Sequence, residues 1–167
     1  MSMTTTTNPS RTIVRSSEDA DATWFNNALM TTLATRDETA GSYALMEHTF
    51  TAACNPPVHI QEVEDEAFYL LDGEIEFEID GEVVLAGPGT FALVPRGAAH
   101  TFRVLSDVAR VLVIVSGEAP SGGLHSFFQA AGRPADRHEL PVPSAPDVEL
   151  LSRHAGPHGI ALIGPPA

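Results

Sequence analysis

The sequence predicts an all-β fold, an antiparallel sandwich or barrel, finished by short helices near its C-terminal end. Three observations carry this expectation. Short apolar and β-branched runs recur from Thr12 to Val115. Turn chemistry separates them at close intervals, as in Asp72-Gly73, Asp80-Gly81, Gly87-Pro88-Gly89 and Pro95-Arg96-Gly97. The character changes only after Gly117, where LHSFFQAA (124–131) and DVELLSRH (147–154) have helical composition. Many short strands of this kind close on themselves or stack as two sheets, which disposes of exposed sheet edges.

Taken in order, residues 1–10 are Thr-rich and aperiodic and read as a disordered arm, while residues 11–167 read as one domain. Thr12–Arg15 is a short strand by composition. Trp24–Thr35 reads as one strand, followed by the turn-like RDETAG, and Ser42–Phe50 as the next, closed by Asn55-Pro56-Pro57. Then come Val58–Gln61, Glu66–Leu71, Glu74–Ile79, Glu82–Leu85, Phe91–Val94 and His100–Leu105, each bounded by turn residues. Ala109–Val115 is almost unbroken apolar and is expected to be buried on both sides. In the extension from 118 to 167, Pro141, Pro143 and Pro146 mark an extended link between the two helices, and Ile160–Ile163 can add a last strand.

Charge excludes some partners. With 9 Lys and Arg against 22 Asp and Glu in 167 residues, the net charge of −13 repels phosphate backbones and anionic lipid. No apolar run approaches the ~20 residues of a membrane span. Ten of the acids lie between Glu62 and Glu82, and Glu74, Glu76, Glu78, Asp80 and Glu82 occupy every second position, the pattern of a solvated outer sheet face. Cys54 is the single cysteine, with no Lys, Arg or helix start beside it to activate the thiol. The N-terminus has no basic head and apolar core of a secretory signal, so a cytoplasmic protein is expected.

The candidate chemistry lies in residues 57–104. His59 and Gln61 are one residue apart, so a strand projects both from one face. Glu66 follows after four residues, and His100 comes from another strand. Two imidazoles and a carboxylate match the ligand set of iron(II) oxygenases, and the Gln61 amide oxygen would be a weaker fourth donor. The alternative is three polar residues satisfied by hydrogen bonds inside a barrel without metal. Gln61 has two readings, as a ligand or as a residue that holds a ligand or a water. His48 reads as a strand residue rather than a ligand. One of Phe68 and Tyr69 must face the core; Met46, Phe77, Phe91 and Phe102 read as core or pocket wall. His125, Phe127 and Phe128 stand where a C-terminal helix can cap the barrel mouth.

The same stretch resembles the two cupin motifs, G-x5-H-x-H-x(3,4)-E-x6-G and G-x5-P-x-G-x2-H-x3-N. His59, Glu66 and Gly73 meet the first, with Gln61 where the second His belongs and no Gly at the opening position. Gly89, Pro95, Gly97 and His100 meet the second, with Val104 in place of the final Asn. The flanking ETAGSYALMEHTF, DEAFYLLDGEIEF, ARVLVIVSG and FFQAAGRP are similar to those of small quercetin-dioxygenase-like cupins. The resemblance implies a double-stranded β-helix, or jelly-roll barrel, and frequently a homodimer. It also implies one divalent transition metal ion (Fe, Mn, Co, Ni, Cu or Zn) at His59, Gln61, Glu66 and His100. For function it implies a metal-dependent small-molecule oxidoreductase. The expected form is a dioxygenase of secondary metabolism acting on an enol, phenol or carboxylate, with Glu66 as ligand, general base or both. Cupins also include isomerases, cyclases, epimerases and binding modules without turnover, and these stand as alternatives.

Overall fold

Tight turns divide the chain into twelve strands and two α-helices among the residues that the computed structural model describes, 12–119 and 121–166. The arm expected at 1–10 lies outside them. In chain order the strands are β1 (Ala22–Phe25), β2 (Ala28–Ala34), β3 (Tyr43–Thr51), β4 (Pro57–Gln61), β5 (Asp65–Asp72), β6 (Ile75–Ile79), β7 (Glu82–Ala86), β8 (Phe91–Val94), β9 (Ala99–Val104) and β10 (Val108–Ser116). Helix α1 (Gly123–Ala131), β11 (Arg133–Pro134), α2 (Val148–Ala155) and β12 (Ile160–Pro166) complete it. Two antiparallel sheets result, ordered β11-β1-β2-β3-β10-β5-β8 and β12-β4-β9-β6-β7.

The core lies between them because each strand alternates. Met46, His48 and Phe50 of β3, Phe68 and Leu70 of β5, Phe77 of β6, Phe102 of β9 and Val111, Val113 and Val115 of β10 all point inward and are buried. Aromatic rings knit the two sheets: Phe50 meets Phe102 at a centroid distance of 4.8 Å, and Phe68 meets Phe77 at 5.0 Å. On β6 the acids face outward, and Glu76 bonds Arg103 of β9 at 2.6 Å. The Asp72-Gly73 turn needs its glycine: φ is +82°, and a Cβ there would collide with the Val108 backbone oxygen.

Several elements differ from the sequence expectation. Trp24–Thr35 is a hairpin rather than one strand. Asn26 and Asn27 take φ of 45° and 62°, the left-handed pair that a mirror-image two-residue turn requires and that Asn tolerates. The Asn27 amide then secures the Pro-rich link, donating to Ser144 O (3.0 Å) and accepting from Ser144 N–H (2.8 Å). Thr12–Arg15 pairs with no strand; a 3-10 turn follows at Ser17–Asp19. β10 is buried on one side only, with Ile114 42% exposed, because no further layer among the described residues covers the outer face. Phe91 is not core: it sits 63% exposed on the edge strand β8 opposite Tyr69, while Phe68 takes the interior.

The C-terminal extension belongs to the barrel. Asp147 accepts from Leu150 N–H at 2.9 Å and caps α2. β12 pairs with β4, setting Leu162 opposite His59 and Ile160 opposite Gln61. β11, which composition does not announce, extends the larger sheet beyond β1, with the Arg133 guanidinium 4.5 Å from the Trp24 ring centre.

Candidate metal centre

His59 on β4 and His100 on β9 are directly opposed in the smaller sheet, with ring centroids 4.1 Å apart. Glu66 reaches them from β5 in the larger sheet, so the three groups bridge the interior from both walls. One donor atom from each lies within 4.8 Å of the other two.

Backbone carbonyls aim both imidazoles. His59 Nδ1 lies 2.9 Å from Pro57 O, and His100 Nδ1 lies 3.1 Å from Ala98 O. A carbonyl only accepts, so Nδ1 carries the proton in each ring and Nε2 is turned inward. A histidine that ligates a metal through Nε2 requires this tautomer. Burial, and after it the neighbouring His100, holds the His59 pKa below the ordinary value, so this ring is a neutral donor. Burial also opposes charge on His100, but the Glu66 carboxylate 3.3 Å from Nε2 outweighs it and raises that pKa. A proton and a divalent cation are thus alternative occupants of the position between His100 and Glu66.

Gln61 is buried beside them. Its Nε2 donates to Glu66 Oε2 in a short hydrogen bond, and its Oε1 has no partner. Two inward-turned imidazoles, a carboxylate and an unsatisfied amide oxygen fit a divalent metal ion. His59, Glu66 and His100 come together as the sequence spacing suggests, and Gln61 joins them through the carboxylate.

The cluster lines a cavity of about 70 Å³. Phe50, Phe68 and Phe102 of the sheets and Leu124, Phe127 and Phe128 of α1 supply most of its wall. Phe127 and Phe128 of the expected helix line the cavity. His125 turns aside, its Nε2 3.1 Å from Thr32 Oγ1. Cys54 lines the cavity as an inert thiol, pushed up to about 12 by burial.

Two features are not visible in the sequence. Glu64, a buried acid among exposed ones, pairs with Arg36 (2.5 Å) and accepts the Leu124 N–H (2.6 Å), so it ties the start of α1 to the loop between β4 and β5. No spacing rule marks such an acid. His48 sits in the cavity wall with its Nε2 unpartnered. Burial, and then the nearby His125, pushes its pKa down to about 3, so the ring is neutral.

Comparison with known proteins agrees with this architecture. Residues 47–116 match the Cupin domain family. Quercetin 2,3-dioxygenase of Bacillus subtilis is 28% identical over 92 residues, which are 55% of this chain and 26% of that protein. The match thus spans about a quarter of that relative's length. A predicted oxalate decarboxylase from Thermotoga maritima superposes with a TM-score of 0.58 at 20% identity, over 64% of this chain and 100% of that one. The Streptomyces nucleoside dehydratase Pac13 superposes at 0.54 and 13% identity, over 64% of this chain and 83% of that one. These structural likenesses show the two-sheet barrel.

Proposed function

The chain is a small member of the cupin superfamily, and from that premise we propose that it is a metal-dependent oxidoreductase, a dioxygenase acting on a compact enol, phenol or carboxylate metabolite. The observation that carries this reading is the convergence of His59, His100 and the Glu66 carboxylate in the wall of an apolar cavity, with both Nδ1 atoms already committed to backbone carbonyls. His59, Glu66 and His100 would hold the ion, with the Gln61 amide oxygen as a further donor. When bound, the ion supplies Lewis acidity and redox access to O2.

The protein's own residues do the rest. The phenylalanines of the barrel and α1 exclude water and orient an apolar skeleton so that its oxygen meets the cluster. Glu66, held by Gln61 Nε2, is placed to accept the proton of a substrate enol or hydroxyl at its carboxylate. The cavity is about 70 Å³, against about 150 Å³ for an engineered cavity that takes benzene. That favours a small enol or carboxylate over a phenol ring, and more so over a three-ring flavonol. A cytoplasmic homodimer of one-domain subunits belongs to the same reading.

A second reading is favoured by Gln61. An amide in place of a third imidazole leaves Glu66 as a positioned base, which suits an isomerase, cyclase or epimerase. Oxygen-electrode measurements on metal-loaded protein separate the two. For a dioxygenase, O2 uptake tracks substrate loss one to one and product formation stops under argon. Turnover that continues unchanged without O2 would establish the non-oxidative alternative. Ligand binding with no turnover in either atmosphere would leave a binding module.

A further inference from the structure

Building on the metal-centre reading above, we propose that His48 is the second polar anchor of the cavity. Its Nε2 hydrogen-bonds one oxygen of a ligand whose other oxygen faces His59, Glu66 and His100. The ligand class follows: a compact, largely apolar molecule with oxygen functions at two ends, the second of them a neutral carbonyl or hydroxyl.

Four observations converge on this. His48 is 1% exposed, and its Nε2 has no hydrogen-bond partner among the described residues. A buried polar atom in that condition is costly and calls for an explanation. The other imidazoles around the barrel interior each have a hydrogen-bond partner: His59 in Pro57 O, His100 in Ala98 O and Glu66, and His125 in Thr32. The ring is also held in place, edge-on to Phe50 at 5.5 Å and to Phe128 at 5.3 Å. Its inward neighbours on β3, Met46 and Phe50, are the apolar residues that packing alone selects.

Placement completes the argument. His48 lies on β3 of the larger sheet and lines the same cavity as the three cluster residues. That cavity is about 70 Å³, so a ligand that fills it meets His48 and the cluster together. Phe50, Phe68 and Phe102 line the same cavity and suit the apolar part of such a ligand. A neutral imidazole offers either a donor or an acceptor according to its tautomer, matching a ligand carbonyl or hydroxyl.

The test compares two probes, levulinate and pentanoate, which share a carboxylate and differ by the distal ketone. Binding to metal-loaded full-length protein is measured by calorimetry for wild type, His48→Leu and His48→Gln. Metal content, melting temperature and the imidazole 15N spectrum are recorded in parallel. Levulinate should bind wild type about tenfold tighter than pentanoate and shift the His48 nitrogen resonances. His48→Leu should bring the ratio to about one with an equal or higher melting temperature, since it removes an unsatisfied buried nitrogen. His48→Gln should restore part of the preference. Equal binding of the two probes by wild type, no binding of either, or a ratio unchanged in His48→Leu overturns the anchor. So does a lower melting temperature of that variant without loss of probe preference, which would make His48 a packing residue. If the protein takes up no metal yet the preference depends on His48, the anchor stands and the oxidoreductase reading falls. If metal is taken up and the preference is indifferent to His48, the anchor falls and the metal centre stands.

Discussion

At the scale of single residues, Gln61 determines how Glu66 is presented. Its Nε2 fixes one carboxylate oxygen, so Gln61→Ala should weaken metal binding about tenfold to a hundredfold while leaving the fold intact, as read by competition with a chromophoric chelator. His48 makes a prediction about pH. Its pKa is about 3 in the folded protein and about 6.5 when unfolded, so below pH 6.5 the unfolded chain binds the extra proton. The stability that a neutral His48 preserves is complete above pH 6.5 and is lost as pH falls toward 3, by up to about 1.4 kcal/mol per pH unit. His48→Leu should flatten that acid-side decline in chemical denaturation between pH 7 and pH 4. The candidate cluster is legible in the sequence because His59 and Gln61 share the alternation of one strand and Glu66 follows close behind them. His48 reads there only as a strand residue, because nothing in its neighbours tells an imidazole in a cavity wall from one satisfied in a core.

At the scale of elements, the loop between β4 and β5 and the start of α1 are joined by one carboxylate. Glu64 is 1% exposed at its side chain and takes both the Arg36 guanidinium and the Leu124 N–H. Glu64→Ala would leave Arg36 with an unpaired charge in a largely buried site and Leu124 without its acceptor. We expect a loss of about 3–5 kcal/mol in denaturant unfolding, with earlier hydrogen exchange in α1. Most strands are readable from turn chemistry, since Asp-Gly and Gly-Pro pairs leave the chain few other conformations. Two departures have physical causes. Asn26-Asn27 lies inside a continuous β-prone run, which masks its capacity for left-handed φ and makes the hairpin resemble one strand. β10 carries apolar residues on both faces, but only one side is covered. A run of composition cannot tell a second layer from an exposed apolar face.

At the scale of the whole molecule, the exposed apolar residues lie away from the N-terminal hairpin. Leu29 and Met30 are buried within the subunit, whereas Val83, Leu85, Phe91 and Leu93 are more than half exposed on the edge strands β7 and β8. The homodimer in the proposed reading would give twice the monomer mass in light scattering at micromolar concentration, and a monomer would contradict it. The barrel geometry itself explains the metal centre: two sheets carry opposite halves of the donor set, so the ligands meet only when the sheets pack. Metal binding therefore stabilises the folded state by mass action, and chelation should lower the melting temperature. The most direct test is elemental analysis of untagged protein, as purified and after equilibration with divalent transition metals, alongside the His59→Ala, Glu66→Ala and His100→Ala variants. The expected result is about one equivalent of metal in wild type and strong depletion in each variant. Wild-type protein that holds no transition metal under either condition, or variants that retain the wild-type content, would contradict the assignment of His59, Glu66 and His100 as a metal centre.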